Sequence, residues 1–146
     1  MGDLERESYL SSAESMRTLI GERGLGDRVR LPGFVTDDTL ASLYTGASIV
    51  VNPSLAEGFG LPAVEAAACG APLLLSDLEA HRETMDGAAL FFPPRDSVAL
   101  AEFMGQILDD PELGEHLGRQ ARAAVAGRTW DAAAERVREL LAEAVG

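Results

Sequence analysis

The stretch from Asn52 to Gly70 constrains this chain more than any other. It follows an apolar, β-branched run, Ala47–Val51, that reads as a buried strand. A Gly-rich turn comes next, and Pro62 stands where a first helical residue is expected, since its missing N–H would be unpaired there anyway. The following Ala-rich run reads as a helix that stops at Gly70, a residue suited to the left-handed position past a helix end. Strand, Gly-rich loop and helix in that order aim free backbone N–H groups and the positive end of a helix dipole at whatever sits above the loop.

Two glutamates belong to this unit, Glu57 in the loop and Glu65 about one turn inside the helix. The plain reading makes Glu57 a solvated loop acid and Glu65 an acid stabilised by the dipole, by roughly 0.3–1 kcal/mol. The alternative is a ligand that carries both phosphate and hydroxyl groups. Backbone N–H groups then take the phosphate, while the carboxylates accept hydrogen bonds from sugar hydroxyls, each contributing about 1.5–3 kcal/mol. The spacing alone leaves both readings open, with a sugar or nucleotide as the candidate ligand.

The same residues carry a resemblance. Pro53-Ser54, the run Glu57-Gly-Phe-Gly-Leu-Pro62 and the run Glu65-Ala-Ala-Ala-Cys-Gly-Ala-Pro72 resemble the signature of the retaining, nucleotide-sugar-dependent glycosyltransferases of the two-domain GT-B fold. That signature pairs two glutamates with seven residues between them, as Glu57 and Glu65 do here. Further similarity to that family's C-terminal, donor-binding domain runs through Asp27–Val35, Leu43-Tyr44, Ala80–Glu83, Ala89–Pro93 and Thr129-Trp130.

Composition sets the outer limits. The 146 residues suffice for a single α/β domain, 1–146, and are too few for a two-domain enzyme. The net charge of −12 argues against nucleic acid or an anionic membrane surface as a partner. All twelve basic residues are Arg. A nucleotide diphosphate must therefore rely on local N–H groups and a few arginines. The single Cys69 excludes an internal disulfide and reads as a small buried residue. No apolar run approaches the ~20 residues of a membrane span, and Met1–Glu5 lacks the basic and apolar regions of a signal peptide, so the expected location is cytoplasmic.

Along the chain, apolar positions at helical spacing predict a helix over 4–22, ended by Gly24 and Gly26. Alternation predicts a short strand over Arg28–Leu31. Thr36 is expected to cap a helix over Asp37–Tyr44, Pro72–Ser76 and Ala88–Phe92 to be strands, and Glu79–Met85 a short helix. Ser97 reads as the cap of a helix to about Leu108, with another over Glu112–Ala126 and a last one capped by Thr129. Strands alternating with helices predict a Rossmann-like parallel sheet with helices on both faces. Asp37-Asp38 and Asp109-Asp110 read as helix-flanking acids, and no metal is expected. His81 and Arg82 follow a strand at the end of the sheet where open α/β folds bind ligands, either touching a ligand phosphate or holding local structure. His116 reads as a surface residue and Trp130 as core.

The resemblance implies more specific roles. Glu65 would hold the ribose hydroxyls of a UDP- or GDP-hexose donor, and Glu57 would contact the donor sugar near the reacting carbon. Gly58, Phe59, Gly60 and Leu61 would meet the sugar and diphosphate, with Arg82 a further donor contact. Gly33, Phe34 and Val35 would line the nucleobase. It implies hexose transfer with retention and no metal or other cofactor. The family's first strands, its Arg…Lys phosphate pair and its acceptor-binding N-terminal domain would all lie before Met1, and any membrane contact would belong to that domain. The chain alone is then expected to be inactive. Its sheet is expected to have a gap between Arg28–Leu31 and Ile49–Val51, filled by rearrangement, strand exchange in a homo-oligomer, or a partner chain. A non-catalytic nucleotide-sugar-binding module and a scaffold that completes its sheet with another chain are the alternatives.

Overall fold

A computed structural model of the chain describes residues 3–145, which fall into two compact units divided between Val35 and Thr36. In the first unit, helix α1 (Asp3–Glu22) ends in a turn where Leu25 N–H reaches the Ile20 carbonyl. The segment after it, 23–35, turns at 23–28 and forms no strand. The strand expected over Arg28–Leu31 is therefore corrected. Alternating side chains do not make a strand without a hydrogen-bonding neighbour, and Val29 and Leu31 stay 36% and 44% exposed.

The second unit is an α/β fold built on a three-stranded, all-parallel sheet of order β1-β2-β3, with β1 at Val50–Asn52, β2 at Leu73–Ser76 and β3 at Leu90–Phe92. Parallel neighbours need crossover connections. Here α3 (Leu61–Ala68) joins β1 to β2, and α4 (Glu79–Met85) joins β2 to β3. Among the described residues no strand lies beyond β1, the side on which the expected gap falls. All four residues of β2, three leucines and Ser76, are fully buried, as expected for the central strand of a parallel sheet.

Helix α3 supplies small residues to the core. Ala63, Ala66 and Ala67 have no exposure and pack with Leu73, Leu75 and Met85 and with Ala121 and Val125 of α6 (Pro111–Val125). Their small size lets α6 come close to the end of α3. At Gly118 an added Cβ would sit 2.3 Å from the Gly70 carbonyl oxygen, so the crossing depends on the absence of a side chain.

The capping chemistry is mostly as the sequence suggests. Thr36 caps α2 (Asp37–Gly46), and Thr129 Oγ1 accepts from Ala132 N–H at the start of α7 (Trp130–Val145). Asp110 caps α6 by accepting from Leu113 N–H, consistent with its reading as a helix-flanking acid. The cap of α5 (Ser97–Asp109) is Asp96 rather than Ser97. Its carboxylate reaches two amides at once, Val98 N at 3.1 Å and Ala99 N at 3.0 Å, a stabilisation of about 1 kcal/mol.

Two core expectations are corrected. Trp130 is 83% exposed, and Val137, Leu140 and Leu141 of the same helix are also exposed, so the apolar stripe of α7 has no covering element among the described residues. Cys69 is half-buried rather than buried, because the α3 C-terminus that it caps borders an open cavity. No described helix is long and apolar enough to cross a membrane.

Candidate functional site

In a parallel sheet every strand ends on the same edge, and the loops leaving that edge converge. Asn52 ends β1 and Ser76 ends β2, so the loop 53–60 and the segment leading to α4 leave the same edge. Gly60 forms the N-cap of α3 at φ 81°, the left-handed region, and offers no side chain to cap the helix. Its carbonyl accepts from Ala63 and Val64 N–H. Among the described residues the backbone N–H groups of Gly58, Phe59, Gly60 and Leu61 have no partner. Pro62, which has no N–H to satisfy, occupies the second helical position. Uncapped donors and the positive end of α3 thus form a cradle for an anion. Around it Leu55, Phe59 and Leu61 are about half exposed and form an apolar lip.

Glu57 is positioned by its neighbours. The Ser54 hydroxyl lies 2.7 Å from Glu57 Oε1 and 2.7 Å from Asn52 Oδ1. One hydroxyl proton cannot serve both oxygens, while Asn52 Nδ2 is buried without a partner. Turning the Asn52 amide over resolves the conflict at Ser54: Nδ2–H donates to Ser54, and Ser54 O–H donates to Glu57. The resulting relay from the end of β1 fixes one carboxylate oxygen and leaves the other free for a ligand hydroxyl. The serine three residues before the glutamate was the only sequence sign of it.

Glu65 lies one turn into α3, solvent-exposed, on the rim of a cavity of about 300 Å³ lined by Asp37, Leu40, Tyr44, Ala68 and Cys69. Burial pushes the Tyr44 hydroxyl pKa up, and the nearby Glu65 charge adds to the rise. Tyr44 is thus a neutral hydroxyl beside the Glu65 carboxylate, a proximity that the sequence could not supply.

Arg82 has other partners. Its guanidinium makes a two-pronged contact with Asp77, at 2.7 and 3.0 Å, approaches Asp86 at 3.6 Å and lies 4.2 Å over the Phe91 ring. The Arg82 hydrogen bonds hold the Asp77 carboxyl below its usual value. The small stabilisation this implies is present at neutral pH and is lost as acid titrates Asp77 through its depressed folded value; solvent screens it heavily. His81 is fully buried, with Nδ1 2.7 Å from the Ser76 carbonyl. His116 is exposed. Gly33, at φ 69°, Phe34 and Val35 belong to the first unit.

The second unit is a parallel α/β fold whose α3 starts at an uncapped N-terminus, with Glu57 just before it in sequence and Glu65 one turn inside it. A family model, glycosyl transferases group 1, matches residues 10–124. The chain is 32% identical over 140 residues to the D-inositol 3-phosphate glycosyltransferase of Streptomyces scabiei, covering 94% of this chain and 31% of that protein. Among solved structures, sucrose-phosphate synthase from Thermosynechococcus elongatus superposes with a TM-score of 0.85 at 35% identity, over 92% of this chain and 35% of that one. Anabaena Alr3699/HepE, solved in complex with UDP and glucose, shares the fold with a TM-score of 0.85 at 23% identity, over 93% of this chain and 38% of its own. The chain belongs to the glycosyl transferases group 1 family and has the α/β architecture of its GT-B members. It spans about a third of the length of these relatives.

Proposed function

We propose that this chain binds the nucleotide-sugar donor of a retaining hexosyltransferase at the N-terminus of α3. The observation that carries the reading is the pairing of unpartnered N–H groups at Gly58–Leu61 with Glu57 and Glu65 on either side. The N–H groups take the diphosphate, Glu65 accepts from the ribose hydroxyls, and Glu57, steadied by Ser54, accepts from hydroxyls of the hexose. In the transition state the sugar–phosphate bond lengthens and negative charge grows on the diphosphate. N–H groups already aimed at those oxygens stabilise that charge with little reorganisation. The donor is a UDP- or GDP-hexose, and no metal takes part. UDP and glucose in HepE lend support to a nucleotide-sugar ligand.

One observation bears on whether this chain turns over its donor alone. The cation nearest in sequence to the Gly58–Glu65 stretch, Arg82, is already committed to Asp77 and Asp86. The net charge of −12 further opposes a diphosphate. Binding by this chain is therefore proposed to be weak and without transfer, and transfer is proposed for a chain of the relatives' full length. Calorimetric titration with UDP, GDP and their hexose conjugates tests this. Saturable binding to one base without donor hydrolysis is the expected result. No heat at millimolar ligand would rule out donor binding by these residues.

A further inference from the structure

We propose that His81 is a positioning residue of the donor loop, its Nε2 taking a hydrogen bond from the Gly58–Leu61 backbone when an anion is seated at the α3 N-terminus. The inference rests on the donor reading above and adds a residue to it.

Three observations converge on this atom. A carbonyl oxygen only accepts, so the 2.7 Å contact with Ser76 O places the proton of the neutral ring on Nδ1. Nε2 is then a bare acceptor, and it is buried without a partner. The ring edge that carries it faces the loop, since a Cβ added at Gly60 would lie 3.1 Å from Cδ2 and 3.4 Å from Nε2.

A buried acceptor without a donor thus faces a loop whose donors have no acceptor. Native structures rarely leave a buried acceptor unpaired, and a small movement of the loop would bring one of its backbone N–H groups to the ring. A loop drawn onto an anion can aim some of these N–H groups outward at its oxygens and one inward at the ring. Gly60 permits the close approach, and the Ser76 carbonyl at the end of β2 fixes the ring against which the loop settles.

The test uses the whole chain, with UDP as probe, or GDP if it binds more tightly. Nitrogen-15 spectra of the His81 ring are recorded with and without saturating nucleotide. The Nε2 resonance is expected to move from a free lone pair towards a hydrogen-bonded one while Nδ1 stays. His81→Asn keeps a short donor for the Ser76 carbonyl but removes Nε2, whereas His81→Phe removes both. His81→Asn is expected to unfold below the wild-type midpoint, since a smaller side chain replaces a fully buried ring, and, while folded, to bind nucleotide about tenfold more weakly, the scale of one hydrogen bond. An unmoved Nε2 resonance in a saturated wild-type complex overturns the proposal whether or not the variants fold, as does wild-type affinity in His81→Asn. Binding that ignores Glu65→Ala overturns the donor reading instead, and with it this inference.

Discussion

Replacing Gly118 by Ala is expected to destabilise the second unit by about 3 kcal/mol or more. In an exposed helix interior the same change stabilises by about 1 kcal/mol. The sign reverses here because the new Cβ would stand 2.3 Å from the Gly70 carbonyl oxygen, with the carbonyl carbon at 3.3 Å. A side chain in that position could rotate away, but backbone at the end of α3 cannot move without shifting the buried alanines that seat α3 on β2. Gly114, one turn earlier in α6, is the internal control, since its added Cβ would meet the Ile107 side chain at an ordinary 3.5 Å. Denaturant unfolding should show Gly114→Ala near or above wild type and Gly118→Ala far below it. Equal midpoints would mean that α6 does not cross α3 as described.

Glu65→Ala is expected to weaken nucleotide binding by about 10- to 150-fold, the equivalent of losing a charge-assisted hydrogen bond to the ribose. The substitution isolates function from fold. Glu65 is solvent-exposed within α3, alanine suits a helix, and surface changes of this kind move stability by about 0.5 kcal/mol or less. Its cavity-facing neighbour Tyr44 would lose the adjacent negative charge, so its raised hydroxyl pKa should fall part of the way back. A variant that unfolds at the wild-type midpoint and binds nucleotide as well as wild type would remove Glu65 from the site.

The sequence was most legible where a single residue type forces local geometry. Thr36 and Thr129 cap as their positions suggest, α4 spans Glu79–Met85, and the Leu run of β2 is buried throughout. The two glutamates and the Gly-rich turn were readable for the same reason, because strand, turn and helix are contiguous. What failed depended on neighbours distant in sequence. Arg28–Leu31 has strand alternation but no strand to pair with. Trp130 has the chemistry of a core residue and no surface against which to bury. Asp96 displaces Ser97 as a cap because its carboxylate reaches two amides. The approach of His81 to Gly60 arises where the loops after β1 and β2 meet, which no local pattern encodes. The contacts of Arg82 with Asp77 and of Ser54 with Asn52 and Glu57 are local in sequence, but they depend on turn geometry that residue identity alone does not specify.

The central claim is that the donor seats at the N-terminus of α3, at the carboxyl edge of the sheet. Amide chemical-shift mapping of the isotope-labelled chain during titration with a UDP- or GDP-hexose tests it most directly. The account predicts that the largest shifts fall on Gly58, Phe59, Gly60 and Leu61, extending to Glu65. A second open groove, of about 330 Å³, lies near the opposite edge, lined by Ala47, Ser48, Gly70, Pro72 and Gly114. Shifts concentrated there, with Gly58–Leu61 unmoved at saturation, would contradict the account.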